Sequence, residues 1–176
     1  MNTQQYIIND ITPFDLTTKV SEVQNAFNQL TYSHIPVTKE GVFEGAISEN
    51  DIHCYDADRT LEAYQYSLES FHVSQHTNWI DILEAFALNN TTIMPVLTDN
   101  YKYLGYYELS DIMNIFNDTP FLGEAGGIIV IEKGTADYSF SEICQIVESN
   151  DAKILGVFIS KMENDITQIT IKVGHT

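Results

Sequence analysis

Basic side chains are scarce in this 176-residue chain: eight Lys and Arg stand against 25 Asp and Glu, a formal net charge of −17. A surface that negative repels nucleic acid and anionic membrane, so neither is expected as a partner. Cysteine is nearly absent. Cys54 and Cys144 are too few and too far apart for a disulfide framework or a zinc site, and a reducing cytoplasm is the expected location. No apolar run approaches 18 residues, which argues against a membrane-spanning helix. The opening MNTQQYIIND lacks the basic and long apolar regions of a signal peptide. Ser48, Cys54 and Cys144 each lack a His and an acid at recognisable spacing, so no nucleophile and no enzyme is expected. His72-x-x-x-His76 has helical metal-ligand spacing but falls in an extended lead-in with no completing ligand, so no metal is expected. Lys133-Gly134-Thr135 is too short for a phosphate loop.

What the chain does have is apolar content for a core, 44% hydrophobic and 11% aromatic, and an internal repeat. Ser33–Asp51 reads as strand, turn, strand and helix start, and Thr92–Asp111 is its second copy. Ile35-Pro36-Val37 overlies Met94-Pro95-Val96 at an offset of 59 residues. Gly45 overlies Gly105 and Asp51-Ile52 overlies Asp111-Ile112 at an offset of 60, so one residue is inserted in the hairpin turn, where length change is cheapest.

Around the repeat, Ile7–Phe14 reads as an extended lead-in. Thr17 or Thr18 caps a helix from about Val20 to Leu30, whose apolar face is Val20, Val23, Phe27 and Leu30. Short helices follow each hairpin, from about Glu49 to Tyr55 and from about Ser110 to Phe116. Arg59–Ser70 reads as a connecting helix, and Trp79, Ile82, Leu83 and Phe86 form the counterpart of the first helix face. Gly123–Gly127 is a glycine-rich joint. Beyond it come a buried strand at Ile128–Ile131, a helix capped by Ser139 or Ser141, and strands at Ile154–Ser160 and Ile166–Val173, with the turn at Glu163-Asn164-Asp165. The expected divisions are residues 1–70, 71–122 and 123–176, in an α/β protein whose two repeats pack by pseudo-twofold symmetry.

Two tandem copies of helix–strand–strand–helix, with His34-Ile35-Pro36-Val37 and the G-x-h-S-x-x-D run Gly45–Asp51, resemble a cystathionine-β-synthase (CBS) domain pair over roughly residues 7–120. The β-α-β-β pattern of Gly127–Thr176, with Phe140-Ser141-Glu142-Ile143 at the helix start, looks like the first part of an ACT (ferredoxin-like) domain. The whole is similar to acetoin-utilisation-type regulatory proteins. Either the fold continues past this sequence or a partner chain completes the sheet, and a homodimer is expected. Tyr138 stands where ACT domains bring a glycine to an amino-acid ligand, which points to a pairing surface there.

The resemblance implies a regulatory module that senses an adenosyl ligand such as AMP, ADP, ATP or S-adenosylmethionine and signals through dimer geometry to a regulated protein. It implies that Ser48 touches phosphate, that Asp51 holds the ribose, and that Ile35, Pro36 and Val37 frame the base. The physics fits: a helix N-terminus offers free N–H groups to an anion, and a carboxylate accepts two hydroxyl hydrogens. Ser48-x-x-Asp51 is equally the spacing of a capping box. In the second copy Glu108 replaces Ser48. A phosphate there meets a like charge, so an uncharged nucleoside or a cationic adenosyl compound, held by Asp111, suits that cleft better than ATP. The alternative reading is a non-catalytic assembly or scaffold protein with empty clefts.

Overall fold

The computed structural model describes residues 2–174. The chain divides into two units, Met1–Asn114 and Ile115–Thr176.

The first unit holds both repeats. The first repeat runs β1 (Phe14–Asp15), α1 (Val20–Phe27), β2 (His34–Lys39), β3 (Val42–Ser48) and α2 (Glu49–Ile52). The second runs β4 (Val73–Ser74), α3 (Trp79–Asn89), β5 (Ile93–Leu97), β6 (Tyr103–Glu108) and α4 (Leu109–Asn117). Each forms a three-stranded sheet in chain order, with the short first strand parallel to the second and the third antiparallel. Phe14 pairs with Val37, and Val73 with Val96, at the offset of 59. Even the bulge recurs, after Val37 in one sheet and after Val96 in the other. The first hairpin closes through Glu40 (φ 52°) and Gly41 (φ 81°), a two-residue turn with both residues left-handed, as strand twist requires. The longer second turn is stitched by Thr98, whose Oγ1 accepts from the backbone N–H groups of Asn100 and Lys102.

The helix faces bury as their spacing predicts. Val20, Val23 and Phe27 pack with Ile35, Val37, Ile47, Ile52 and Leu61. Ile82, Phe86, Ile93, Val96, Tyr107 and Ile112 are among the buried residues of the second repeat. Two expectations need correction. Neither Thr17 nor Thr18 caps α1, which begins after Lys19 with no side-chain cap. Both threonines close a turn on Asp15 instead: Asp15 Oδ1 accepts from the Thr17 N–H, and Thr18 Oγ1 accepts from the Asp15 N–H. Such local bonds compete with capping. Arg59–Ser70 is not an α-helix but a kinked 3₁₀ segment, Leu61–Ser67, interrupted at Tyr64. The N–H groups of Leu61 and Glu62 donate to Thr18 and Leu16 carbonyls. Tyr64 is held flat against Tyr55, ring centroids 3.9 Å apart.

The segment leading into each repeat crosses the sheet of the other repeat at its glycine. Ala46 and Glu69 exchange two backbone hydrogen bonds of 2.8 and 2.9 Å, and so do Tyr106 and Ile8. Gly45 (φ 146°) and Gly105 (φ 152°) lie directly beneath these crossings. A Cβ on Gly45 would stand 2.7 Å from Leu68 Cβ, and one on Gly105 would meet the Ile8 carbonyl and stand 2.7 Å from Ile7 Cγ2. The motif glycine is therefore a contact requirement as well as a backbone one.

The second unit contains α5 (Pro120–Gly123), β7 (Gly126–Gly134), α6 (Phe140–Ser149), β8 (Lys153–Glu163) and β9 (Ile166–Gly174). The sheet order is β7-β9-β8, with β9 antiparallel to both neighbours, the split β-α-β arrangement of a ferredoxin-like sheet. Ser139 caps α6, accepting from the Glu142 N–H, and Asn164 (φ 54°) and Asp165 (φ 61°) make the β8–β9 turn. Ile143 of α6 packs on Ile169 and Ile171. The strand expected to be buried at Ile128–Ile131 is instead part of an exposed edge strand: Ile128 is 57% and Val130 53% exposed. A short apolar run does not by itself distinguish a central strand from an edge.

Candidate functional site

Ser48 ends β3 and is the N-cap of α2, its Oγ accepting from the Asp51 N–H at 3.0 Å. The capping role is thus real, and it leaves the hydroxyl hydrogen free to donate. Ser48 and Asp51 line one cavity of about 430 Å³ together with Ser33, His34, Glu69, Asn89 and Asn90. His34 is directly opposite Ser48 in the β2–β3 register and is 5% exposed. Its Nε2 lies 2.7 Å from Glu69 Oε2, and its Nδ1 lies 2.7 Å from Ser33 Oγ and 3.2 Å from Thr91 Oγ1. A ring donating from Nε2 to the carboxylate and accepting at Nδ1 from the Ser33 hydroxyl fits these neighbours, the Thr91 hydroxyl giving its one hydrogen to the Ile93 carbonyl. Phe71 closes against the ring edge-on. Glu69 is therefore fixed twice, by His34 through its side chain and by Ala46 through its backbone. The lining carries Glu49, Asp51 and Glu69 and neither Lys nor Arg.

Ile35, Pro36 and Val37 do not line this cavity. All three are buried; the side chains of Ile35 and Val37 lie in the apolar core, and Pro36 pairs with Ala46. His34 and Glu69 escape the sequence reading: His34 sits at the head of an apolar strand, and Glu69 arrives from a linker 35 residues away.

The pseudo-twofold relation carries Ser33 onto Thr92, Ser48 onto Glu108, Glu49 onto Leu109 and Asn50 onto Ser110. These four second-copy residues, with Thr31, Tyr32 and Met113, line a matching cavity of about 400 Å³. Asp111 is not among its lining residues. The Glu108 carboxylate accepts from the Tyr32 hydroxyl at 2.6 Å, a bond that pushes the Tyr32 phenol up from its ordinary value. The Tyr32 ring meets Tyr106 edge-on at 5.6 Å. The Tyr106 hydroxyl donates to Asp10 Oδ1 at 2.6 Å, and burial, first, then this bond drive its pKa well above the usual phenol range. Between the two clefts, on the pseudo-dyad, Ser33 and Thr92 exchange bonds: each backbone N–H donates to the other's hydroxyl, at 3.1 and 3.0 Å. A third cavity of about 530 Å³, bordered by His72, Asp81, Glu84 and Tyr101, contains none of the motif residues.

No protein-family model matches the chain, and no curated protein matches it by sequence. Solved structures do match. A CBS domain pair/ACT domain protein from Thermotoga maritima is similar at 21% identity and a TM-score of 0.60, covering 66% of this chain and 96% of that one. CbpB in complex with c-di-AMP is similar at 19% identity and a TM-score of 0.55, covering 66% and 85%. The cytosolic domain of the Mg2+ channel MgtE in complex with ATP is similar at 17% identity and a TM-score of 0.54, covering 62% and 46%. At such identities the likeness concerns the fold. Two repeats of the same topology, each with its bulge, glycine crossing and helix start in register, followed by the split β-α-β sheet, give this chain the fold of a tandem CBS domain pair with an ACT-like second unit.

Proposed function

We propose that the chain is a non-catalytic regulatory module whose first cleft binds an adenosyl ligand. The observation that supports this reading is the convergence of Ser48 and Asp51 on one cavity, beside the fixed pair His34 and Glu69. Neighbours of the same fold hold ATP and c-di-AMP, as their structures record. In this reading Asp51 takes the ribose hydroxyls and Ser48 the group beyond them, while the base lies by Ser33 and His34 at the start of β2, which line the cavity where Ile35, Pro36 and Val37 do not. Three carboxylates and no Lys or Arg in the lining disfavour a polyphosphate: like charges about 4 Å apart interact by about 4 kcal/mol at an effective dielectric of 20. Adenosine, AMP and the cationic S-adenosylmethionine are therefore preferred over ADP and ATP.

The test is a thermal-shift and calorimetric series with these five compounds on the full chain and on Asp51→Ala. At 100 times its dissociation constant a ligand adds about 2.7 kcal/mol to stability. The preferred compounds should raise the melting temperature of the parent chain, and Asp51→Ala should lose the shift. No shift with any of the five, or the largest with ATP, would count against the proposal. The exposed edge of β7 favours a companion reading, assembly as a homodimer through the second unit, which would carry the signal to a regulated protein.

A further inference from the structure

We infer that the groove of about 530 Å³ on the second repeat docks a basic segment of another protein, held by apolar side chains below and carboxylates at the rim. The groove is lined by α3, by the β5–β6 turn and by β4, and shares no residue with either cleft. Its deepest lining residues, Val73 and Leu97, are apolar and buried. Leu88 and Tyr101, 74% and 59% exposed, offer further apolar surface to an incoming chain. Asp81, Glu84 and Asp99 carry charge around them, with neither Lys nor Arg in the lining. Asp81 is engaged by the Asn78 amide at 2.7 Å, but Glu84 and Asp99 form no ion pair among the described residues.

The duplication supplies an internal control. At the offset of 59, Leu88 stands for Gln29, Leu97 for Thr38 and Thr98 for Lys39, so the first copy is polar and partly basic where the second is apolar. The residue inserted in the second hairpin turn lengthens the wall that carries Asp99 and Tyr101, where the first copy turns through Glu40 and Gly41. That wall is fixed before anything binds. The Tyr101 N–H donates to the Thr98 carbonyl at 3.0 Å, and its ring meets His72 edge-on at 5.8 Å. The His72 ring is held in turn by Phe43 at 5.9 Å and by its Nδ1 donating to the Ser70 carbonyl at 2.8 Å. A preformed wall lowers the ordering cost of binding.

Charge selects the occupant. With eight Lys and Arg against 25 Asp and Glu, a second copy of this chain brings carboxylates to carboxylates. Nucleic acid meets the same repulsion. A segment with Lys or Arg flanking an apolar side chain matches both features: the apolar group covers Val73 and Leu97, the cations reach Glu84 and Asp99, and their stems lie along Tyr101. This surface is independent of what the first cleft binds.

The test titrates the full chain into three short fluorescent peptides, one of arginine and leucine, one of glutamate and leucine, and one of arginine and glycine. Anisotropy should show the arginine–leucine peptide bound about tenfold or more tightly than the other two. Leu88→Gln, which copies Gln29 and leaves the charge unchanged, should weaken that binding about tenfold. Asp99→Asn should weaken it several-fold, whereas Glu22→Gln, an equal loss of charge on the first repeat, should leave it as in the parent. Far-ultraviolet circular dichroism confirms the fold of each variant. No binding by the arginine–leucine peptide overturns the inference. Equal binding by the arginine–glycine peptide, or by folded Leu88→Gln, reduces the effect to diffuse attraction and also overturns it. So does spermidine bound as tightly and as sensitive to Asp99→Asn, which marks a small-cation site. A fall in particle mass of peptide-free Leu88→Gln overturns it in favour of a contact between copies. Asp51→Ala should bind the peptide as the parent does, so this result and the adenosyl reading of the first cleft stand or fall separately.

Discussion

Tyr103 and Tyr106 lie three residues apart on β6 and show opposite solutions to burying a phenol. Tyr106 has Asp10 as its acceptor, whereas the buried hydroxyl of Tyr103 has no hydrogen-bond partner among the described residues. An unpaired buried hydroxyl costs about 1–3 kcal/mol. Tyr103→Phe should therefore stabilise the fold by about 1 kcal/mol in urea unfolding; a loss of that size would mean the hydroxyl is satisfied. The same residues set an alkaline limit. Burial raises Tyr103, Tyr106 and Tyr107 above the unfolded phenol value near 10, and the bond to Glu108 raises Tyr32. A raised folded pKa contributes stability that is full below pH 10 and is lost as pH climbs past it, because the unfolded chain ionises first. The melting temperature should fall steeply above pH 10, and less steeply in Tyr103→Phe. At this scale the sequence was legible at Gly45 and Gly105, where a positive φ and a close chain crossing both call for glycine. It was not legible at His34 and Glu69, whose pairing depends on a linker crossing that no local pattern encodes.

Among the elements, those stabilised by their own apolar period were legible and those shaped by neighbours were not. The faces of α1 and α3 bury at the spacing read from sequence, while in α6 Ile143 is buried but Ile146 of the expected face Phe140, Ile143, Ile146 and Val147 is 57% exposed; the N-cap positions of α2 and α6 are occupied by Ser48 and Ser139. The 3₁₀ segment at Leu61–Ser67 was misread because its backbone donors are claimed by Leu16 and Thr18, and β7 because apolar content does not reveal an edge. That edge carries a prediction. β7 runs nine residues with no register shift against β9 and no proline, and its first six residues are free of charge; it therefore lacks most of the features that protect exposed edges. Placing a lysine at Val130, which is 53% exposed, should leave unfolding within about 0.5 kcal/mol of the parent. On the proposed dimer, light scattering should nevertheless show a shift towards monomer. An unchanged particle mass at tens of micromolar protein would count against pairing through this edge.

At the scale of the whole molecule, the offset of 59–60 residues made the duplication visible before any coordinates, since two halves that build the same sheet must repeat the same apolar positions. What the offset did not disclose is which stretch serves which half. Ile8 crosses β6, Asp10 anchors Tyr106, and the Thr3 hydroxyl accepts from Tyr107, so the beginning of the chain is built into the second repeat. Glu69, which precedes the second repeat, is built in the same way into the first. Each half is thus finished by the strap that introduces the other. Damage at one end is then felt at a distance along the chain. Deleting residues 2–12 should leave β2 and β3 protected in hydrogen exchange while the amides of Gly105, Tyr106 and Tyr107 open, and early exchange at β3 instead would show that the halves stand alone. A chain laced in this way is inherited as two copies but can be kept only as one.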